Sequence, residues 1–198
     1  MPALRYPNRK FHPEPSWRSY TRTPASTMPA ALRGWLLDRG SLTQRLIDAS
    51  GGKFRVEVLS QHMAFPLLSE ANALGLPARQ KAVVREVILY GCGEPWVYAR
   101  SIIPVKTLTG RLRSLRTLDN RPLGALLFND KTMQRGDIEI TCMNTESHLQ
   151  PSLPQEINGT VWGRRSVFYL DQKPLLVSEM FLPEFRPYNK PIALHFHR

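Results

Sequence analysis

The sequence contains only two cysteines, Cys92 and Cys142, and they stand fifty positions apart without a CxxC pair. A disulfide framework or a structural zinc site uses more cysteines at closer spacing, so we expect two free thiols. Because unpaired cysteines are commonly buried, we expect both inside the protein. The five histidines are scattered too, and the isolated pair His195 and His197 is too small a set to predict a metal site.

Long apolar runs and the common catalytic motifs are also missing. No stretch approaches the roughly 18 consecutive apolar residues of a membrane-spanning helix, and the first residues lack the apolar centre of a secretory signal. The HExxH, GxSxG, GxGxxG and P-loop patterns do not occur, so metal, serine-hydrolase, dinucleotide and phosphate-loop chemistries have no support. We therefore expect a soluble cytoplasmic protein, without metal or cofactor, whose chemistry uses arginines and carboxylates.

Positive charge is in excess, because 27 Lys and Arg face 16 Asp and Glu and give a net charge of +11. Residues 34–182 carry only +4 of this excess, and the rest belongs to the two ends. Specific nucleic-acid binding needs clustered basic side chains. We interpret the basic ends as solubilising, with nonspecific contact to an anionic surface as the alternative, and we expect a monomer without a specific nucleic-acid partner.

The pattern along the chain predicts three regions. Residues 1–28 are basic and rich in proline and show no periodic apolar face, which is typical of a flexible arm. Residues 29–184 carry the periodic segments and form the expected catalytic domain, whereas residues 185–198 form a C-terminal tail. Removal of residues 1–28 should then leave the fold nearly intact.

Helical spacing occurs in short segments only. Apolar side chains over 29–49 predict two short helices, the second with Ser41 as its N-cap. Short helices are also expected over 108–118 and 122–128, and 144–159 is predicted to be a loop.

Alternating or β-branched segments predict six strands. Short polar or glycine-rich connections join the second strand to the third and the fifth to the sixth, as in antiparallel hairpins. We therefore predict an α+β fold with a single six-stranded antiparallel sheet whose helices cover one face. The expected strands are 53–63, 82–90, 95–103, 137–143, 161–170 and 173–181.

Two of these strands place a charge on an apolar face: Arg85 in the second strand and Glu179 in the last. A buried charge is costly unless it is paired, so each is either part of a structural ion pair or faces a ligand. Glu86 points to the opposite face, where Arg100 or Arg165 could pair with it. The apolar residues beside the two charges are Val83, Val87 and Leu89, and Leu175, Val177 and Phe181.

Several motifs, in order over about residues 30–184, resemble the bacterial chorismate pyruvate-lyase family. Members of that family have a six-stranded antiparallel sheet with helices enclosing a buried site, which agrees with the strand count. The motifs are Val84-Arg85-Glu86-Val87-Ile88-Leu89, Gly93-Glu94-Pro95-Trp96, Arg100-Ser101-Ile102-Ile103-Pro104-Val105, Pro122-Leu123-Gly124, Trp162-Gly163-Arg164-Arg165-Ser166 and Lys173-Pro174-Leu175-Leu176-Val177-Ser178-Glu179-Met180-Phe181-Leu182-Pro183.

The resemblance implies a substrate and four site residues. The substrate would be chorismate and the products 4-hydroxybenzoate and pyruvate, without a cofactor, as the first committed step towards ubiquinone. Arg85 matches the arginine that holds the ring carboxylate, and Leu123 matches a residue whose backbone helps to bind it. Glu179 matches the catalytic glutamate at the hydroxyl end, and Leu42 stands where the best-known member has a methionine that lines the site.

Two other classes of function stay open at this point. Effector domains of some bacterial transcription regulators resemble the same fold, so a non-catalytic small-molecule-binding module is the alternative. Nonspecific nucleic-acid binding is a third possibility, and it depends on the net charge alone.

Overall fold

The computed structural model describes residues 14–77, 79–144 and 159–187. The interior of the predicted 144–159 loop and residues 188–198 of the predicted tail lie outside this part. The helices are α1 (Ala30–Leu36), α2 (Leu42–Ala49), α3 (Leu68–Ala73) and α4 (Leu123–Asn129), with 3₁₀ helices over Tyr20–Arg22, Ala25–Thr27, Val105–Thr107 and Gly110–Thr117. The strands are β1 (Arg18–Ser19), β2 (Phe54–Ala64), β3 (Ala82–Gly91), β4 (Glu94–Pro104), β5 (Gln134–Arg135), β6 (Glu139–Asn144), β7 (Thr160–Leu170) and β8 (Lys173–Phe181).

The described strands form a single antiparallel sheet in the order β1-β6-β7-β8-β4-β3-β2, and β5 pairs with β7. Six long strands match the six expected segments, but the predicted count is wrong because the sheet has eight strands. The two additional strands, β1 and β5, have two residues each. A strand of two residues is too short to show the alternation from which the others were predicted.

Both expected hairpins are present. The β7–β8 hairpin turns through Asp171 and Gln172, which have φ values of 47° and 62°. Positive φ at both central residues is the geometry of a type I′ turn, whose twist matches that of the flanking strands. The β3–β4 hairpin turns through Cys92 and Gly93, again with positive φ at both positions.

Helices cover both faces of the sheet, so the expectation of a single covered face is wrong. Helices α1, α2 and α4 pack on the face that carries Val87 and Leu175. The α3 segment packs on the opposite face, where Leu74 and Leu76 contact Val84. With six residues, α3 is too short for its periodicity to stand out in the sequence.

The second face also holds the charges that were expected to pair across the sheet. Glu86 accepts a hydrogen bond from Arg100 Nη1 at 2.9 Å, which confirms the first of its two expected partners. Arg165 instead donates to Glu139 Oε2 at 2.7 Å. These ion pairs bury their charges against each other, away from α1, α2 and α4.

Residues 14–28 pack on the sheet, in contrast to the flexible arm expected for 1–28. Arg18 and Ser19 pair with β6, and Glu14 accepts hydrogen bonds from the backbone N–H groups of Leu68 and Ser69 at the start of α3. Met28 is 3% exposed and belongs to the core beneath α1. Residues 1–13 lie outside the described part.

The C-terminal boundary of the packed domain also lies further along the chain than predicted. Phe185, expected in the tail, is buried and contacts the rings of Trp35, Trp96 and Phe181. Both cysteines are free, as expected, but they are exposed rather than buried. No helix in the described part of the chain is long and apolar enough to cross a membrane.

We predict that Met28→Ala destabilises the protein by about 2–5 kcal/mol, because it leaves a cavity in the core. For a domain of this size the melting temperature should fall by roughly 2–4 °C per kcal/mol. Met63→Ala is the matched control, since Met63 is 45% exposed, and its melting temperature should stay within about 2 °C of the wild type. Equal melting temperatures for the two variants would show that residues 14–28 do not contribute to the core.

Candidate active site

A cavity lies between the sheet and the helices α2 and α4. All four residues expected from the sequence, Leu42, Arg85, Leu123 and Glu179, line it. The structure thus brings together side chains that are up to 137 positions apart in the sequence.

The floor of the cavity comes from five neighbouring strands, β2, β3, β4, β8 and β7. From the register, Arg85 and Glu179 lie two strands apart in adjacent rows, which puts their Cα atoms roughly 12 Å apart. A row here is a set of residues that lie directly opposite one another on neighbouring strands. One row contains Arg85, Ser101, Val177 and Ser166, and the next contains Val87, Ala99, Glu179 and Arg164.

Arg85 is 2% exposed, and neutral groups hold its guanidinium. Nη1 donates to Gln61 Oε1 at 2.8 Å, and Nη2 donates to the carbonyl oxygens of Asp119 at 2.8 Å and Arg121 at 3.2 Å. Burial lowers the pKa of Arg85, and the nearby Asp119 charge opposes this effect. Among the described residues no carboxylate forms an ion pair with it, so the ligand-facing alternative suits Arg85 better than the structural ion pair.

Glu179, in contrast, does have an ion-pair partner. Its Oε2 accepts a hydrogen bond of 2.7 Å from Nε of Arg164, whose side chain is 1% exposed. Nη1 of Arg164 donates to the carbonyl oxygens of Trp35 and Asp38, both at 2.7 Å. Glu179 is therefore fixed in place on the cavity wall: the ion-pair alternative drawn from the sequence is observed, and contact with a ligand stays a prediction.

The sequence did not single out Arg135, which also lines the cavity. Its Nε donates to Ser166 Oγ at 3.1 Å, and its Nη1 donates to the carbonyl oxygens of Asp38 at 3.1 Å and Gly40 at 3.5 Å. The guanidinium carbon lies 5.1 Å from the centre of the Phe168 ring. Because β5 has only two residues, no spacing marked Arg135 as an inward-facing charge.

Burial and the neighbouring Arg164 charge lower the pKa of Arg135 to about 10, although Glu179 opposes this shift. Arg135 therefore keeps its positive charge at neutral pH. The inward direction of Arg164 could have been predicted from the sequence. In the predicted strand 161–170, alternation puts Arg164 on the same face as Trp162 and Ser166.

The roof of the cavity depends on a close approach between α2 and α4. Ser41 caps α2 by accepting a hydrogen bond from the backbone N–H of Gln44, and α2 then begins at Leu42. Helix α4 begins at Leu123, and a Cβ atom at the next residue, Gly124, would lie 2.5 Å from Thr43 Oγ1. Glycine allows this approach without a shift of Thr43, and Leu42 and Leu123, the first residues of the two helices, both line the cavity.

An antiparallel sheet with a helix-covered cavity that contains arginines defines an α+β domain with a candidate small-molecule site. Two solved structures share this fold: the C-terminal domain of histidine utilization repressor from Pseudomonas syringae (TM-score 0.51, 12% identity, 73% of this chain and 99% of that one) and PhnF from Mycobacterium smegmatis (TM-score 0.52, 15% identity, 75% and 66%). At these identities the likeness extends to the fold alone.

The sequence comparisons are more specific. The family model described as chorismate lyase matches residues 16–191, so this chain belongs to the chorismate lyase family and is an enzyme of that type. Proteins named "Probable chorismate pyruvate-lyase" are similar to it, with 41% identity in Methylococcus capsulatus (77% of this chain, 94% of the relative). The one in Aromatoleum aromaticum is 40% identical (82% and 90%), and the one in Pseudomonas putida is 42% identical (80% and 85%).

Proposed function

We propose that this enzyme converts chorismate into 4-hydroxybenzoate and pyruvate. The observation that carries the proposal is the charge arrangement of the cavity: Arg85 lies buried, none of the described carboxylates pairs with it, and Glu179 stands two strands away. A planar guanidinium can hold a planar carboxylate through two parallel hydrogen bonds. A ligand with a carboxylate at one end and a hydroxyl group at the other suits this spacing.

The reaction requires positioning more than an added reagent. In chorismate the bond between a ring carbon and the enolpyruvyl oxygen breaks, and one ring hydrogen is lost. The ring becomes aromatic 4-hydroxybenzoate, and the enolpyruvyl group gains the hydrogen and leaves as pyruvate. Since aromatisation drives the reaction, the protein needs to hold the two carboxylates and align the breaking bond.

Each residue of the cavity has a role in this proposal. Arg85 binds the ring carboxylate, and the backbone of Leu123 adds to that contact. Leu42 closes the cavity from above with its apolar side chain. Glu179, held by Arg164, lies beside the ring hydroxyl and the breaking bond, where a carboxylate can accept a hydrogen bond or transfer a proton.

The product belongs at the start of ubiquinone synthesis in the cytoplasm, with the enzyme acting as a monomer. The alternative from the sequence, a non-catalytic effector-binding module, has only the fold in common with the two regulator structures. The test is to incubate the purified chain with chorismate and to measure both products. Equal amounts of 4-hydroxybenzoate and pyruvate are expected, whereas binding of 4-hydroxybenzoate without turnover would favour the effector module.

We predict full activity after dialysis against EDTA, because the sequence lacks metal-binding motifs and the proposed reaction needs no Lewis acid or redox group. The rate of pyruvate release should be the same before and after dialysis. A dialysed enzyme without activity, restored by zinc or magnesium, would contradict the cofactor-free proposal. A mock dialysis without EDTA controls for losses during handling.

A further inference from the structure

Arg135 is a second cation of the cavity, half-buried, and none of the carboxylates in the described part of the chain pairs with it. Its hydrogen-bond acceptors are the Ser166 hydroxyl and the carbonyls of Asp38 and Gly40, all of them neutral. Within 14–77, 79–144 and 159–187, no carboxylate oxygen lies within 4.0 Å of its guanidinium. An uncompensated charge away from water is costly, so an anionic ligand would stabilise it.

Two ion pairs neutralise some of the charges around the cavity. Arg164 pairs with Glu179 at 2.7 Å, and Asp38 pairs with Arg45 at 3.1 Å. Both pairs are electrically neutral. Of the cations that line the cavity, Arg85 and Arg135 are the two that form no ion pair with another described residue, and chorismate has two carboxylates.

The two cations stand on opposite sides of Glu179. Across the sheet, Arg85 lies on β3 and Glu179 on β8, while Arg135 bonds to Ser166 on β7, one strand further along. Ser166 shares a row with Arg85, three strands away, which separates their Cα atoms by roughly 14 Å. A ligand whose ring carboxylate is at Arg85 and whose hydroxyl is at Glu179 therefore extends its next substituent towards Arg135.

We propose that Arg135 binds the carboxylate of the enolpyruvyl group, and that this subsite holds pyruvate as it leaves. The inference rests on the proposed function, since it assigns the second carboxylate of the same substrate. It explains why the cavity contains a cation that 4-hydroxybenzoate, with one carboxylate, does not need. Arg135 would thus distinguish substrate from product.

The test compares Arg135→Gln with the wild type in two measurements. The KM for chorismate should rise about 30-fold or more, as expected when one partner of a buried charge pair is removed. The dissociation constant of 4-hydroxybenzoate, measured by calorimetry, should change less than about threefold. Arg135→Lys keeps the charge but not the planar fork, so its KM should lie between the two.

Arg165→Gln is the matched control. Arg165 is a buried arginine on β7, next to Arg164 in the sequence, and it points to the opposite face of the sheet, where it pairs with Glu139. Its KM for chorismate should equal that of the wild type even if its melting temperature falls. A similar rise in KM for Arg165→Gln would attribute the effect to lost stability and overturn the assignment of Arg135.

A measurement on the wild type keeps the proposal testable if Arg135→Gln does not fold. Pyruvate should bind together with 4-hydroxybenzoate and compete with chorismate, with sodium chloride at equal ionic strength as the control. The assignment of Arg135 would be overturned if pyruvate displaced 4-hydroxybenzoate or had no effect on chorismate binding. It would also be overturned if Arg135→Gln lost affinity for chorismate and for 4-hydroxybenzoate to the same extent. Absence of chorismate turnover in the wild type would instead overturn the proposed function.

Discussion

Replacing Glu179 by Gln is expected to lower kcat by about 10²–10⁴-fold, the usual contribution of a positioned acid or base. Gln keeps the shape of the side chain and an oxygen that can accept the hydrogen bond from Arg164, but it cannot exchange a proton. The dissociation constant of 4-hydroxybenzoate should change by less than about tenfold, because the ring carboxylate still binds at Arg85. The pH profile of kcat should lose one limb.

Glu139→Gln provides an unusually close control for this experiment. Glu139 accepts a hydrogen bond of 2.7 Å from Arg165 Nε, and Glu179 accepts one of the same length from Arg164. The two arginines are neighbours on β7 and point to opposite faces, and Glu139 does not line the cavity. Its kcat should therefore stay close to the wild-type value.

The result that contradicts the prediction is equally clear. A loss of less than about tenfold in Glu179→Gln, with an unchanged pH profile, would mean that the hydrogen shift occurs within the substrate and needs positioning alone. Wild-type turnover and product affinity in both Glu179→Gln and Glu179→Ala would remove this residue from the site.

Replacing Arg85 by Ala is expected to weaken the binding of both chorismate and 4-hydroxybenzoate by about 2–5 kcal/mol. Both molecules carry the ring carboxylate, and the variant removes the cation that faces it. Lys at this position should restore part of the affinity, because it supplies the charge without the planar fork. Calorimetry with 4-hydroxybenzoate measures the loss directly.

A purely structural role for Arg85 makes a different prediction. Its bonds to Gln61 and to the carbonyls of Asp119 and Arg121 support the chain around them. If that support were its whole role, Arg85→Ala would melt at a lower temperature while its folded fraction bound 4-hydroxybenzoate normally. Melting temperature and affinity, measured on the same preparation, distinguish the two roles.

The sequence predicted the long strands well for a physical reason. Strands of six to eleven residues repeat the in-and-out alternation several times, so β2, β3, β4, β6, β7 and β8 were all expected close to their observed bounds. The same alternation revealed Arg85 and Glu179, because a charge at an inward position interrupts an otherwise apolar face.

Features without a repeating pattern could not be predicted in this way. Met28 and Phe185 are single apolar anchors in proline-rich surroundings, and what buries them is the tertiary structure. Arg135 lies in a two-residue strand, and its position in the cavity depends on the pairing of β5 with β7. Local sequence carries no information on such long-range contacts.

The buried Arg85 and the half-buried Arg135, which no carboxylate of the described residues neutralises, also link ligand occupancy to folding. The unoccupied protein keeps two positive charges in a poorly solvated space, so part of its folding free energy is spent on holding them there. Any anion that binds the folded chain alone shifts the unfolding equilibrium, by about 2.7 kcal/mol at a concentration one hundred times its dissociation constant. The melting temperature, measured at increasing ligand concentration, therefore reports ligand binding in the cavity. This measurement applies equally to variants without turnover.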